Sequence, residues 1–150
     1  MLFQSRGGFP LTRGGRWSLA VWALLLSGGF LLACSVEPDP RLFGTHQRLG
    51  LPPCSFRVLF GIPCPSCGMT TSFAFFTRGQ FIEAARANVA GLLLAILCAI
   101  QIPWCCWSAA TGRLWQVSEP VAVLVWLLLV ISFSAMLNWV WQFVPVVSAT

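Results

Sequence analysis

Charge is scarce in this chain of 150 residues: Asp and Glu together number four, His occurs once, and all nine cationic residues are Arg, with no Lys. Charged residues make up 9% against 57% hydrophobic, too few solvating groups to cover a soluble globule of this length. The Arg residues sit singly beside apolar runs rather than in a stripe. The net charge of +5 therefore reads as the cationic flanks of membrane spans, and no nucleic-acid partner is expected. Glu37, Asp39, Glu83 and Glu119 all fall near the ends of apolar runs, so a proton-coupled transporter finds no paired carboxylates inside them. With His46 alone there is no His pair, and Ser-His-Asp hydrolysis has no recognisable setting. The chain also lacks a Gly-rich phosphate loop and any run alternating with strand period. An enzyme is not the leading expectation.

What is present belongs in lipid. Three apolar stretches, Trp17 to Ser35, Val89 to Ala110 and Pro120 to about Val144, each match the ~20 residues a helix needs to cross ~30 Å of hydrocarbon. A helix is forced there, because every backbone amide must find its partner within its own segment. Trp17, Trp104, Trp107, Trp115, Trp139 and Trp141 stand near the ends of these stretches and read as an aromatic belt. The first stretch has a rival reading. Arg6, Arg13 and Arg16 ahead of an apolar core and Leu31-Leu32-Ala33-Cys34 resemble a lipoprotein signal, with Cys34 the lipidated residue; Leu32 and the length of the run favour a span. The expected organisation is a cytoplasmic Arg-bearing tail over 1–16 and a single membrane domain over 17–150, in the bacterial inner (plasma) membrane.

Between the first two spans the texture changes. Glu37 to Pro53 is rich in Pro, Arg and Gly, which signals a loop. Beyond it, Ser66 is placed to cap a short helix from Cys67 to Arg78, with Met69, Phe73 and Phe76 at helical spacing and Gly79 as its stop. A second short helix over Phe81 to Ala87 pairs Glu83 with Arg86, and Asn88 hands over to the second span. Neither is long enough to cross. The expected fold is an all-α membrane protein of three transmembrane helices, with a short interfacial helical hairpin between the first and second.

The same segment carries the chain's concentrated chemistry. Cys54, then Gly61-Ile62-Pro63-Cys64-Pro65-Ser66-Cys67-Gly68-Met69-Thr70, then Gly79, Ala84, Ala85 and Asn88 before a span, resemble the bacterial membrane family catalogued as domain of unknown function 2752. The resemblance covers roughly residues 38 to 102 and rests on the motif positions Cys64, Pro65, Cys67, Gly68, Thr70 and Asn88. It implies a small helical membrane protein and assigns no activity. Thr71, Gln80 and Val89 depart from the pattern, where Arg, an acid and Pro are common, so no role of that Arg carries over.

Three chemistries fit the cysteines. A Cys-x-x-Cys at a helix N-terminus has its first thiol beside unpaired amides, which would make Cys64 and Cys67 a redox pair; a βαβ setting is missing, and adjacent Cys105-Cys106 is a poor exchange partner. Cys54, Cys64 and Cys67 with His46 supply the four ligands zinc needs, at spacings that match no familiar finger. A disulfide from Cys54 to Cys64 or Cys67 would pin the loop to the short helix, given an oxidising face. The disulfide is the working expectation.

Sidedness decides between these. Arg6, Arg13, Arg16 and Arg113 favour the N-terminus inside and the Cys loop outside, whereas Arg41, Arg48, Arg57, Arg78 and Arg86 crowd the loop itself. Gly91, Ala95 and Ala99 form a small-residue face on the second span, and Ser132 with Ala135 another on the third, either of which lets a helix of this chain or of another membrane protein approach closely. Gln101 and Asn138 are expected to bond across helices. The reading as a whole is a structural or partner-binding membrane module with a Cys-stabilised loop; the alternative is a membrane thiol-disulfide oxidoreductase or a zinc-stabilised site built on Cys64 and Cys67.

Overall fold

The computed structural model describes residues 9–114 and 120–147; Arg6, Trp115 and Glu119 lie outside the described residues. The three expected spans are the three long helices: α1 (Arg13–Ser35), α5 (Val89–Thr111) and α6 (Pro120–Val147). All three are long and apolar enough to cross a membrane, α6 over Val121–Trp141, with mean hydropathies of 1.9, 2.2 and 2.4 in their 18-residue apolar stretches, in the same order. Their outward faces carry Leu24, Leu31, Ile100, Val121, Phe133 and Trp141, each more than half exposed. Exposed apolar side chains in such number are tolerated where the surrounding medium is hydrocarbon. Between α1 and α5 lie α2 (Ser55–Phe60), α3 (Met69–Phe76) and α4 (Phe81–Ala87). Among the described residues, a two-residue antiparallel pair, β1 (Phe9–Pro10) with β2 (Arg113–Leu114), accompanies the helices.

The chain divides into two compact units, Met1–Gly29 with Ile96–Val130 and Phe30–Ala95 with Ile131–Thr150. In the first, the side chain of Thr12 caps α1 by accepting from the Gly15 amide at 3.2 Å. Arg16 donates to the carbonyls of Ala109 and Ala110 at 2.7 and 3.1 Å, and so satisfies the open end of α5 with a cation where the helix dipole favours one. Trp22 donates its indole N–H to Gln101 at 3.4 Å, so Gln101 does bond across helices.

The second unit holds the short helices. α3 and α4 pack on each other around Phe75, Ala84 and Ala87, while Phe73 and Phe76 set their rings 5.8 and 6.0 Å from that of Phe30 on α1. Arg78 donates to the Ala33 and Cys34 carbonyls at 3.4 and 3.2 Å and closes α1 as Arg16 closes α5. α1 is thus built into the fold as far as Cys34. α4 and its Glu83–Arg86 pair, 3.9 Å apart, fall where the sequence placed them.

Two expectations in this region need correction. α3 begins at Met69 rather than Cys67, and no side chain caps it; the residue before it is Gly68 at φ +84°, not Ser66. The reason is tertiary. A Cβ on Gly68 would run into the carbonyl oxygens of Ala87 and Leu42, so the chain passes here in a left-handed turn that only glycine enters without strain. In addition, the loop from Glu37 to Pro53 contains a 3-10 turn at Thr45–Leu49, closed by Gly50, and α2 follows it where no helix was expected.

Candidate functional site

The turn that carries the Cys pair is made by two backbone bonds, Cys67 N–H to Cys64 O at 2.9 Å and Met69 N–H to Ser66 O at 3.1 Å. Asn88 fixes it. This fully buried side chain donates to the carbonyls of Cys67 at 3.0 Å and Pro65 at 3.4 Å, while its own oxygen accepts from the Gly91 amide at 2.8 Å. One residue therefore holds the Cys-Pro-Ser-Cys turn and caps the start of α5. Gly91 lets α3 approach, since a Cβ there would lie 2.9 Å from Cβ of Ser72, whose hydroxyl donates to the Asn88 carbonyl at 3.1 Å. Trp139 on α6 adds a bond from its indole N–H to Pro63 O at 2.9 Å, and Asn138 beside it accepts from the Val89 amide at 3.3 Å.

The loop before α2 comes down on the other side of the turn. Buried Thr45 and Thr71 share a hydroxyl bond of 2.8 Å, and Thr45 also accepts from the Asp39 amide at 3.0 Å. Asp39 is clasped by Arg41 through Nε at 3.0 Å and Nη2 at 2.8 Å. That bidentate bond, with the Arg41 amide, holds the Asp39 carboxyl at about 2, well below its usual 3.8. Thr71, one of the departures from the family pattern, is therefore the anchor of this loop.

These supports bring Cys54, Cys64, Cys67 and His46 onto one cavity of about 230 Å³, with Ser66 and Thr70 also lining it. Cys34, Cys98, Cys105 and Cys106 do not line it, and none of the seven cysteines is bridged. The thiols of Cys54, Cys64 and Cys67 interact electrostatically with one another. The three thiols differ. The Arg57 backbone amide, facing the Cys54 sulfur, draws that thiol below its ordinary value, although no aligned cap bond is formed. Burial pushes Cys64 up, helped by its bond to Cys54, and burial likewise raises Cys67 against the attraction of the Arg57 guanidinium.

Of the three thiols, Cys54 is the one drawn toward the thiolate. The Cys-x-x-Cys pair sits in a turn ahead of Gly68 rather than on the first turn of α3. Arg57 is the site residue the sequence did not reveal. Its guanidinium lies 3.6 Å from the Phe43 ring centroid, a contact across the loop that leaves no trace in local pattern. Among the described residues no three His, Cys, Asp or Glu side chains are grouped to hold a metal ion.

Residues 54–102 match the model of the family described as Protein of unknown function (DUF2752). The match covers about a third of the chain. It begins at Cys54 and runs through the Cys turn, α3, α4 and most of α5, within the stretch whose motif residues carried the resemblance. Neither a curated protein nor a solved structure matches the chain.

Proposed function

We propose that this is a small integral membrane protein of the bacterial inner membrane, whose helices carry a sulfur-tied cap on the outer face that serves as a structural or partner-binding module. The observation that supports the reading is that Cys54, just before α2, and Cys64, in the turn before α3, line one cavity. A bridge there closes a loop of about ten residues, worth roughly 3 kcal/mol through the entropy it removes from the unfolded chain. The outer placement draws support from how the loop arginines are used. Arg41 clasps Asp39, Arg48 pairs with Glu37 at 3.0 Å, Arg57 lies on Phe43, Arg78 closes α1 and Arg86 faces Glu83. Each has a local task, so their number is a weak argument for retention inside.

The test is a non-reducing peptide map of the protein taken from membranes into an alkylating quench, together with a membrane-impermeant maleimide applied to intact cells after reduction. The reading expects a Cys54–Cys64 linked peptide and labelling of Cys54 from outside. Full recovery of Cys54 and Cys64 as separately alkylated peptides, or labelling only after lysis, would overturn it.

A further inference from the structure

We propose that Cys54, Cys64 and Cys67 form an exchange site for small aliphatic disulfides, in which Cys64 is the sulfur shared between two alternative bridges. This rests on the reading of the cap as tied through Cys54 and Cys64, and extends it to a third thiol and to the space beside it. A purely structural bridge needs two sulfurs and a filled core. Here Cys67 is buried and lines the same space, and the three residues open onto a cavity of about 230 Å³ instead of packing shut. That volume is nearly eight water shares of ~30 Å³, enough for one half of a molecule such as cystamine. His46, Ser66 and Thr70 supply polar groups for its amine.

The steps balance without another reagent. Cys54 thiolate attacks one sulfur of the small disulfide, forming a mixed disulfide and expelling a thiolate, which takes the proton of Cys64. Cys64 thiolate then attacks the Cys54 sulfur, the Cys54–Cys64 bond forms, and the second small thiolate leaves and is protonated by solvent. Two protein thiols have been oxidised and one small disulfide reduced to two thiols. Cys67, once its proton has passed to solvent, can next attack the Cys64 sulfur as thiolate, moving the bridge to Cys64–Cys67 and releasing Cys54 as thiolate, with no net transfer of electrons. The order follows from the environments: Cys54 is the most readily ionised of the three and hence both the first nucleophile and the better leaving group.

The experiment treats the reduced full-length protein in detergent with cystamine, quenches with acid and maps the peptides. The wild type is expected to show both the Cys54–Cys64 and the Cys64–Cys67 linkages with little retained adduct. Cys64→Ser should hold at least tenfold more cysteamine on Cys54 than the wild type, and Cys67→Ser should show the Cys54–Cys64 linkage alone. Cys64→Ala, checked by helical circular dichroism, repeats the trap if the Ser variant does not fold. An absence of adduct on Cys54 in a folded Cys64 variant overturns the proposal. A parallel oxidation with copper phenanthroline separates the two readings: if it closes Cys54–Cys64 while cystamine does not react, the tie stands and the exchange site falls; if neither closes it, both fall.

Discussion

Replacing Gly68 by Ala isolates the physical constraint that places the Cys turn. Two penalties add at this position. The first is conformational: φ of +84° costs a residue with a Cβ about 1–2 kcal/mol. The second is steric, because the new methyl would overlap the Ala87 carbonyl and lie 2.9 Å from the Leu42 carbonyl oxygen. Both obstacles are backbone, so relief requires α4 or the loop to move, at the roughly 1–3 kcal/mol typical of overpacking. The expected loss is therefore about 2–5 kcal/mol. Gly61 provides the control, with φ of +70° and nothing within 4 Å of the place a methyl would take, so Gly61→Ala should lose only the first term, about 1–2 kcal/mol. Thermal unfolding of the two variants in the same detergent, followed by circular dichroism, gives the comparison. Midpoint shifts of roughly 2–4 °C per kcal/mol apply to a chain of this length. Equal shifts for Gly68→Ala and Gly61→Ala would refute the argument that contact with Ala87 and Leu42, rather than turn geometry alone, selects glycine.

Other consequences can be measured alongside. Asn88→Ala removes the cap of α5 and leaves the Cys67 carbonyl without its donor, and should cost about 2–3 kcal/mol in the same melts and raise the alkylation rate of Cys67. For Asp39 the folded carboxyl is depressed to about 2 from 3.8, so its contribution is fully present above pH 4 and is lost as pH falls toward 2. Asp39→Asn should accordingly flatten the stability profile between pH 4 and pH 2, and an unchanged slope would count against the clasp by Arg41. Iodoacetamide labelling across pH, read by peptide mapping, should reach half its maximal rate at lower pH for Cys54 than for Cys67; the reverse order would contradict the assignment of the nucleophile. Arg78→Ala should loosen the end of α1, whereas Arg78→Lys should retain part of the effect, as seen in protease sensitivity near Cys34.

The parts of the fold governed by lipid were legible in the sequence. A charge-free run such as Trp17 to Ser35 has only one way to satisfy its amides in hydrocarbon, so span bounds need no tertiary information. α4 was equally plain, because Phe81 to Ala87 is bracketed by Gly79 and Asn88 and carries its own ion pair. The start of α3 was misread because Ser66 is a good local cap, and the reason Gly68 displaces it lies in carbonyls 19 and 26 residues away at Ala87 and Leu42. α2 escaped notice since a six-residue apolar stretch with Val58, Leu59 and Phe60 exposed has no buried face to announce a period. The candidate site residues Cys54, Cys64, Cys67 and His46 could be named from type and proximity in sequence. The direction in which each thiol is shifted could not be, because it follows from burial at Cys64 and Cys67 and from the backbone amide facing Cys54.

The account stands on the three sulfurs forming one cluster, and pairwise bridging tests that most directly. Variants that retain only Cys54 with Cys64, only Cys64 with Cys67, or only Cys34 with Cys64 would be oxidised under identical mild conditions and weighed intact. The first two should lose two hydrogens rapidly and the Cys34 pair should not. Equal closure of all three pairs, or failure of Cys54 with Cys64 while the Cys34 pair closes, would contradict the account.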